Sequence, residues 1–276
     1  MPERHVNYSQ IASTYDQRYA ADAHTNMAGK LLALAQELGS LRILEVACGT
    51  GVWLAGLRPI GPGRFGLDLS PDMLLRARQR DAELRLVNGR AEHLPFPDRS
   101  FDLVYSINAI HHFDQPESFV GEMRRLLRPG GTVLIIGMDP HSGRDRWYVR
   151  DYFDGLYERD LARYPSWGQV VDWLAARDFE KIGLSVMERC QVYWTGREVL
   201  SDPLLRKEAS SQLSLLTDEE YATGRRRIEM AVAEAEASGQ SLLFLTDLTI
   251  GMLEGHLRAP VQPGCEGLVR GRREHL

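Results

Sequence analysis

The sequence predicts an α/β protein built around a doubly wound, mostly parallel sheet. Between residues 27 and 140, short apolar runs alternate with amphipathic stretches, the rhythm of strands joined by crossover helices. One run, Thr132 to Met138, is continuously apolar, as a strand covered on both faces must be. The first apolar run empties into a glycine turn, Cys48-Gly49-Thr50-Gly51, which opens a helix.

The elements follow in order. Met27 to Leu38 carries Leu31, Leu34, Ala35 and Leu38 at helical spacing. Arg42 to Ala47 reads as the first strand, Val52 to Leu57 as a short helix stopped before Pro59, and Arg64 to Leu69 as the second strand. Ser70 is a good N-cap, with Pro71 at the first helical position. Leu84 to Val87 and Phe101 to Asn108 are the third and fourth strands. Glu117 to Leu127 is an amphipathic helix that Arg128-Pro129-Gly130-Gly131 terminates.

Beyond Asp139 the rhythm changes. Arg144 to Tyr164 is rich in Arg, Asp and aromatic residues and reads as a helical cover. A helix over Trp167 to Asp178, a strand over Leu184 to Trp194, a long helix from Thr217 to about Ala237 and a last strand over Leu242 to Leu253 complete the series. The expected organisation is a single domain over 1–256. Its core spans 27–140, 166–195 and 241–256, with a helical lid at 141–165 and a helical insertion at 196–240. Residues 257–276, rich in Gly and Pro, are a loose tail.

A chain of 276 residues with 43% hydrophobic content can bury a sizeable core. Its net charge of −5 argues against a nucleic-acid partner, because phosphate binding needs a concentrated positive surface. Cys48, Cys190 and Cys265 lie far apart with no His at ligand spacing, so neither a metal site nor a disulfide framework is expected. The first twenty residues lack the apolar stretch of a signal peptide, and no run is long enough to span a bilayer. The expected setting is a reduced cytoplasm, with no membrane partner.

Small residues in the glycine turn let the backbone approach a ligand, and free N–H groups at the helix start suit an anion or carboxylate. A dinucleotide fingerprint would place a third Gly at position 54, where Leu54 stands. Asp68 ends the second strand, where an acid can take two hydrogen bonds from a ribose diol; by itself it could equally be a cap for the next helix. Paired with the turn at this spacing, the ribose role is favoured. Asn108-Ala109-Ile110-His111-His112-Phe113 follows the fourth strand, at the mouth where this fold binds ligands. A neutral imidazole there offers a candidate general base, His111 or His112; a structural role is the competing reading.

Five segments occur in order: Glu45-Val46-Ala47-Cys48-Gly49-Thr50-Gly51, Gly66-Leu67-Asp68-Leu69-Ser70, Gly89-Arg90-Ala91-Glu92-His93-Leu94-Pro95-Phe96, Phe101-Asp102-Leu103-Val104 and Leu127-Arg128-Pro129-Gly130-Gly131. In register, they resemble the class I S-adenosylmethionine-dependent methyltransferases, in the ubiquinone/menaquinone-biosynthesis-type (methyltransferase type 11) branch. The resemblance covers roughly residues 8 to 140. It implies a Rossmann-like sheet with an antiparallel last strand and S-adenosylmethionine as cofactor. Glu45, Ala47, Gly49 and Gly51 would frame the methionine end and Asp68 would hold the ribose hydroxyls. Leu69 and Met73 would lie against the adenine, with Arg90, Ala91 and Glu92 along its edge and Asn108 nearby. Many relatives carry Asp where Arg90 stands; Arg cannot accept a hydrogen bond, so the contact to the adenine amino group comes from elsewhere or is absent. Tyr15 and Tyr19, four apart, resemble the family's N-terminal segment over the cofactor, or are packing aromatics.

The implied reaction is in-line methyl transfer to a small-molecule acceptor, with alignment and water exclusion first and a base optional. Trp147, Tyr148 and Tyr152 are candidate substrate contacts, the cluster around them suiting an acidic or planar acceptor or forming a solvated helix. The insertion either widens the pocket or builds a homodimer contact. The competing functions are a cofactor-binding regulator or scaffold without turnover, and an NAD-linked oxidoreductase, which would want the third glycine.

Overall fold

The computed structural model describes Asp16 and residues 25–259. Five parallel strands, β1 (Ile43–Val46), β2 (Arg64–Asp68), β3 (Arg85–Asn88), β4 (Phe101–Ile107) and β5 (Leu127–Gly137), lie in the order β3-β2-β1-β4-β5. Two further strands extend this edge: β8 (Leu243–Leu257) runs antiparallel to β5, and β7 (Phe179–Thr195) antiparallel to β8. A two-residue β6 (Arg146–Trp147) pairs with β8 beyond the end of β5. The doubly wound, mostly parallel sheet with an antiparallel last strand is therefore as the sequence predicted.

Helices cover both faces because each presents one apolar stripe. On one side α1 (Thr25–Glu37) and α2 (Val52–Gly56) bring Met27, Leu31, Trp53 and Leu54 onto Ile43, Leu103 and Leu134, with Ala77 of α3 (Pro71–Arg80) alongside. On the other, α4 (Pro116–Leu126) buries Phe119, Val120, Met123 and Leu126. There α7 (Trp167–Ala175) adds Val170 and Leu174 over Leu44, Val104 and Val133. Each large apolar side chain so buried contributes about 1.5–3 kcal/mol. Ser70 caps α3 from its side chain, and Ser166 with Gln169 closes a capping box on α7.

The predicted 144–164 helical segment is divided. After β6, α5 (Val149–Tyr152) and α6 (Leu156–Arg163) are separated by Gly155, whose φ of 70° breaks the helix. Residues 196–240 run through short 3₁₀ turns into α8 (Ser211–Ser214) and α9 (Asp218–Ala237), the latter opened by a Thr217–Glu220 capping box. These two regions share a core of their own, with Trp147, Tyr148, Phe153 and Leu156 packed on Val199, Leu213, Ile228 and Phe244. Gly224 of α9 makes this contact close: a Cβ there would lie 2.3 Å from the Phe153 ring.

Boundaries shift where context outweighs local pattern. β5 starts at Leu127 rather than Thr132, because Leu127 pairs with Phe101 before the exposed Arg128–Gly130 loop and Thr132 resumes the ladder opposite Leu103. β7 reaches back to Phe179, and β8 continues to Leu257, whose partner is Phe179. Residue 257, expected to open the tail, is still in the sheet, and the Arg258 amide donates to the Asp178 carbonyl at 3.0 Å.

Candidate active site

The carboxyl ends of β1, β2 and β4 converge on one cleft, with an empty volume of about 950 Å³. Strand ends leave backbone groups without sheet partners there, and the crossovers diverge to either face, which opens the crevice. At the end of β1 the chain turns through Ala47 (φ 60°), Gly49 (φ 52°) and Gly51 (φ 70°) before α2. Ala47 and Asn108 (φ 50°), at the ends of β1 and β4, are left-handed without being glycine, and both line the cleft. Backbone held in that region costs on the order of 1–3 kcal/mol and gathers at functional sites.

Asp68 ties the turn to the second strand. One carboxylate oxygen accepts from the Gly49 amide at 2.8 Å and the other from the Ser70 amide at 2.9 Å. Burial raises its carboxyl above the usual range, opposed by the bonds from the Ser70, Gly49 and Leu69 amides. Each oxygen keeps lone-pair capacity toward the cleft it lines. Asn88 donates to the Asp68 and Leu69 carbonyls at 3.0 and 2.9 Å, holding β2 and β3 together at this rim.

Of the sequence-predicted cofactor residues, the structure brings Ala47, Gly49, Asp68, Leu69, Met73, Arg90, Ala91, Glu92 and Asn108 to the cleft wall. Two predicted residues lie behind it. Glu45 is buried beneath the turn, where the Tyr105 hydroxyl donates to it at 3.1 Å and burial pushes its carboxyl up to about 8. Gly51 faces α3, where a Cβ would sit 3.0 Å from that of Ala77, so packing explains the glycine. Tyr15 and Tyr19 lie outside the described residues. Arg90 pairs with Asp114 and, at 3.5 Å, with Glu92, and the Glu92 carboxylate accepts from the Asp114 amide at 2.9 Å. The guanidinium is thus bound to acids on the rim, and Asp114 joins the cleft lining.

The two histidines separate. His112 lines the cleft; His111 does not. His111 stacks on Tyr164 at 3.9 Å and touches His112 at 4.0 Å, its Nε2 3.4 Å from the Ser211 hydroxyl. Burial, then His112 and Arg163, hold its pKa well below the usual 6.5, so it is neutral at physiological pH. The expected substrate contacts Trp147, Tyr148 and Tyr152 are not part of the cleft. Trp147 and Tyr148 are buried in the core shared by residues 147–164 and the insertion, with Tyr152 packed against it, and the Tyr148 hydroxyl donates to Asp202 at 2.8 Å. Aromatic residues in an amphipathic segment serve a local core as readily as a ligand, and here the core takes them.

Sequence reasoning also missed Asp16. Its carboxylate accepts from the Thr50 hydroxyl and from Arg80, both at 2.6 Å, so Asp16 is pinned to the glycine turn and α3. An acid flanked by tyrosines was the available signal. Ile107, Ala109 and Phe113 were likewise unforeseen as apolar wall. Among the described residues no group of three or more His, Cys, Asp or Glu could hold a metal ion.

Comparison with known proteins agrees with this geometry. Residues 44–135 match the family described as "Methyltransferase domain". The chain is 34% identical over 128 residues to a malonyl-[acyl-carrier protein] O-methyltransferase of Pectobacterium atrosepticum, covering 46% of this chain and 50% of that one. It is 37% identical over 131 residues to a phthiotriol/phenolphthiotriol dimycocerosates methyltransferase of Mycobacterium leprae, covering 46% and 48%. The chain thus spans about half the length of the curated relatives it matches. Among solved structures, phosphoethanolamine N-methyltransferase 2 of Haemonchus contortus in complex with S-adenosyl-L-methionine superposes with a TM-score of 0.55. The superposition covers 91% of this chain and 57% of that one at 17% identity, a likeness of fold. The likeness of residues 44–135 to a methyltransferase domain and the likeness of fold to solved methyltransferases point the same way.

Proposed function

We propose that this protein, with its class I methyltransferase domain at the centre, moves a methyl group from S-adenosylmethionine to a small-molecule acceptor. The observation that carries the reading is Asp68. It is an acid at the end of β2, inside the cleft, that also holds the glycine turn of β1 through the Gly49 amide. A ribose diol needs such an acceptor, and the methionine end needs the small turn beside it.

The cleft residues fit the cofactor. Asp68 would take the ribose hydroxyls; Leu69, Met73 and Ala91 would flank the adenine, with Glu92 and Asp114 as acceptors at its edge where Arg90 cannot serve. Ala47 and Gly49 would face the methionine end, with Asn108 beside them, while Glu45 and Gly51 support the turn from behind. When bound, the cofactor supplies an electrophilic methyl group on a sulfonium. The chain's own residues align the acceptor, exclude water and, at His112, can take a proton from an acceptor hydroxyl or amine. Neutral His111 orients His112 from behind rather than reaching the acceptor.

Residues 1–256 act as one domain, with 141–165 as a lid, 196–240 as an insertion and the C-terminal residues as a tail. No helix among the described residues is long and apolar enough to cross a membrane. A cytoplasmic setting, no nucleic-acid partner and a homodimer contact through the insertion belong to the same reading. The net charge of −5 supports the part about nucleic acid.

The test is the shift in melting temperature with S-adenosylmethionine or S-adenosylhomocysteine, against NAD. A ligand at ~100 times its dissociation constant adds about 2.7 kcal/mol of stability. A shift with the methyl-donor pair alone is expected; a shift with NAD alone would overturn the reading. For the base, His112→Ala should flatten the pH dependence of turnover more than His111→Ala. Full turnover by both variants across pH would remove that role.

A further inference from the structure

Two carboxylates hold the glycine turn that forms part of the cleft wall. At Gly49 the amide donates to Asp68 at 2.8 Å. At Thr50 the hydroxyl donates to Asp16 at 2.6 Å, and the other Asp16 oxygen accepts from Arg80 Nη2 at 2.6 Å. Arg80 closes the ring, because its Nε donates to the Thr50 carbonyl at 3.0 Å. The hydroxyl and the carbonyl of Thr50 are both held in this way. The contacts are long-range: Asp16 lies 34 residues before Thr50 and 64 before Arg80.

The turn requires such holding. Ala47 has a φ of 60° without being glycine, and Gly49 and Gly51 follow at 52° and 70°. A side-chain-bearing residue stays in that region only where its surroundings over-determine it. Ala47 and Gly49 line the cleft, so a loosened turn alters the wall itself. Thr50 is 1% exposed, and its hydroxyl depends on Asp16 for a charged acceptor, the stronger kind of hydrogen bond. Arg80 is the last residue of α3, where the end of the helix favours a cation.

The exposure of the pair separates placement from overall stability. The Arg80 and Asp16 side chains are 33% and 40% exposed, and ion pairs so exposed contribute little to folding. What the pair fixes is the position of Thr50. We infer that Asp16 is a positioning residue for the cofactor, which through Thr50 and Arg80 keeps the glycine turn in the shape that the methionine end of S-adenosylmethionine meets. This rests on the methyltransferase reading and adds to it a residue that touches no cofactor atom. Asp16, Thr50 and Arg80 are not among the described residues that line the cleft, so they act through Ala47 and Gly49.

The test uses the full chain and S-adenosylhomocysteine, with dissociation constants measured by calorimetry. Asp16→Ala and Thr50→Val should each weaken binding more than about threefold, since each removes the charged hydrogen bond on the turn. Thr50→Ser, which keeps the hydroxyl, should stay within about threefold of wild type. The Asp16→Ala/Thr50→Val double variant should bind like Asp16→Ala alone, because the two residues act as one contact. A clamp with a purely structural role would lower the melting temperature without ligand and leave all these constants as in wild type. Where Thr50→Val does not fold, the partly exposed Asp16→Ala decides. A folded Asp16→Ala within about threefold of wild type would overturn the inference and leave the function intact. So would single effects that multiply in the double variant, or a loss in Thr50→Ser as large as in Thr50→Val. No binding of S-adenosylhomocysteine to the wild type would overturn the function itself, and the inference with it.

Discussion

Two buried arginine–aspartate pairs lie in different regions of the molecule. In the sheet frame Arg64 and Asp81, both with essentially no exposed side chain, meet at 2.6 Å. Arg64 also donates to the Gly61 carbonyl at 2.9 Å and Asp81 accepts from the Glu83 amide at 3.0 Å. Burial acts to raise the Asp81 carboxyl, but the hydrogen bonds from Arg64 and Arg58 outweigh it and hold it at about 2. Between α5 and α6, Arg150 and Asp160 stand 3.9 Å apart without a hydrogen bond to each other, and burial pushes the Asp160 carboxyl up to about 6 against the attraction of Arg150 and Arg163 and a hydrogen bond from Gln212. The residue types are the same. The frame pair is joined by a direct hydrogen bond, and the pair between α5 and α6 is not.

The largest effect should come from breaking the frame pair. Asp81→Asn leaves the buried Arg64 with the exposed Glu83, at 3.2 Å, as its one acidic partner among the described residues and should cost up to about 3–5 kcal/mol, read as a lower urea midpoint. An unchanged midpoint would mean that Arg64 finds other partners and that the comparison fails on the frame side. Asp68→Ala should come next. Loss of a charge-assisted acceptor worth about 1.5–3 kcal/mol predicts roughly 10- to 150-fold weaker S-adenosylhomocysteine binding by calorimetry.

Asp160→Asn should act in the opposite sense to Asp81→Asn. A carboxyl raised from about 3.9 unfolded to about 6 folded disfavours the folded state above its folded pKa. The wild type is therefore relieved as pH falls from 7 toward 4, and Asp160→Asn should be more stable by about 1–3 kcal/mol near pH 8, the difference closing toward pH 4. For Asp81 the sign is reversed: its contribution is complete above pH 4 and is lost as pH falls through about 2. Urea midpoints of both variants across pH separate the two cases; a Asp160→Asn gap that does not narrow on acidification would count against the lid pair being unsatisfied. The smallest effect belongs to the exposed Arg124–Asp178 pair at the opposite end of the sheet, whose removal should leave the melting temperature unchanged.

The frame was legible in the sequence because its signals are local. Strand runs, the Ser70 cap, the glycine turn and Asp68 all act within a few residues, and the cleft wall from Leu69 to Glu92 follows from strand ends in a parallel sheet. The 141–165 segment was less so. Trp147 and Tyr148 carried the composition of a recognition surface, yet Phe244, Val199 and Leu213, distant in the chain, turned them into core. Asp160, Arg163 and Tyr164 gave no signal, because their isolation is defined by what α8 and the His111–His112 turn bring against them.

By itself the sequence determined the sheet, its helices, the glycine turn and the acid that faces it, since periodicity, caps and turn residues are properties of neighbouring positions. The tertiary structure decided which histidine meets the cleft, that Glu45 and Gly51 support it from behind, and that Asp160 is buried near Arg150. Those facts depend on contacts such as Gly51 to Ala77, Glu45 to Tyr105 and His111 to Ser211, 26, 60 and 100 residues apart, whose burial no local pattern records.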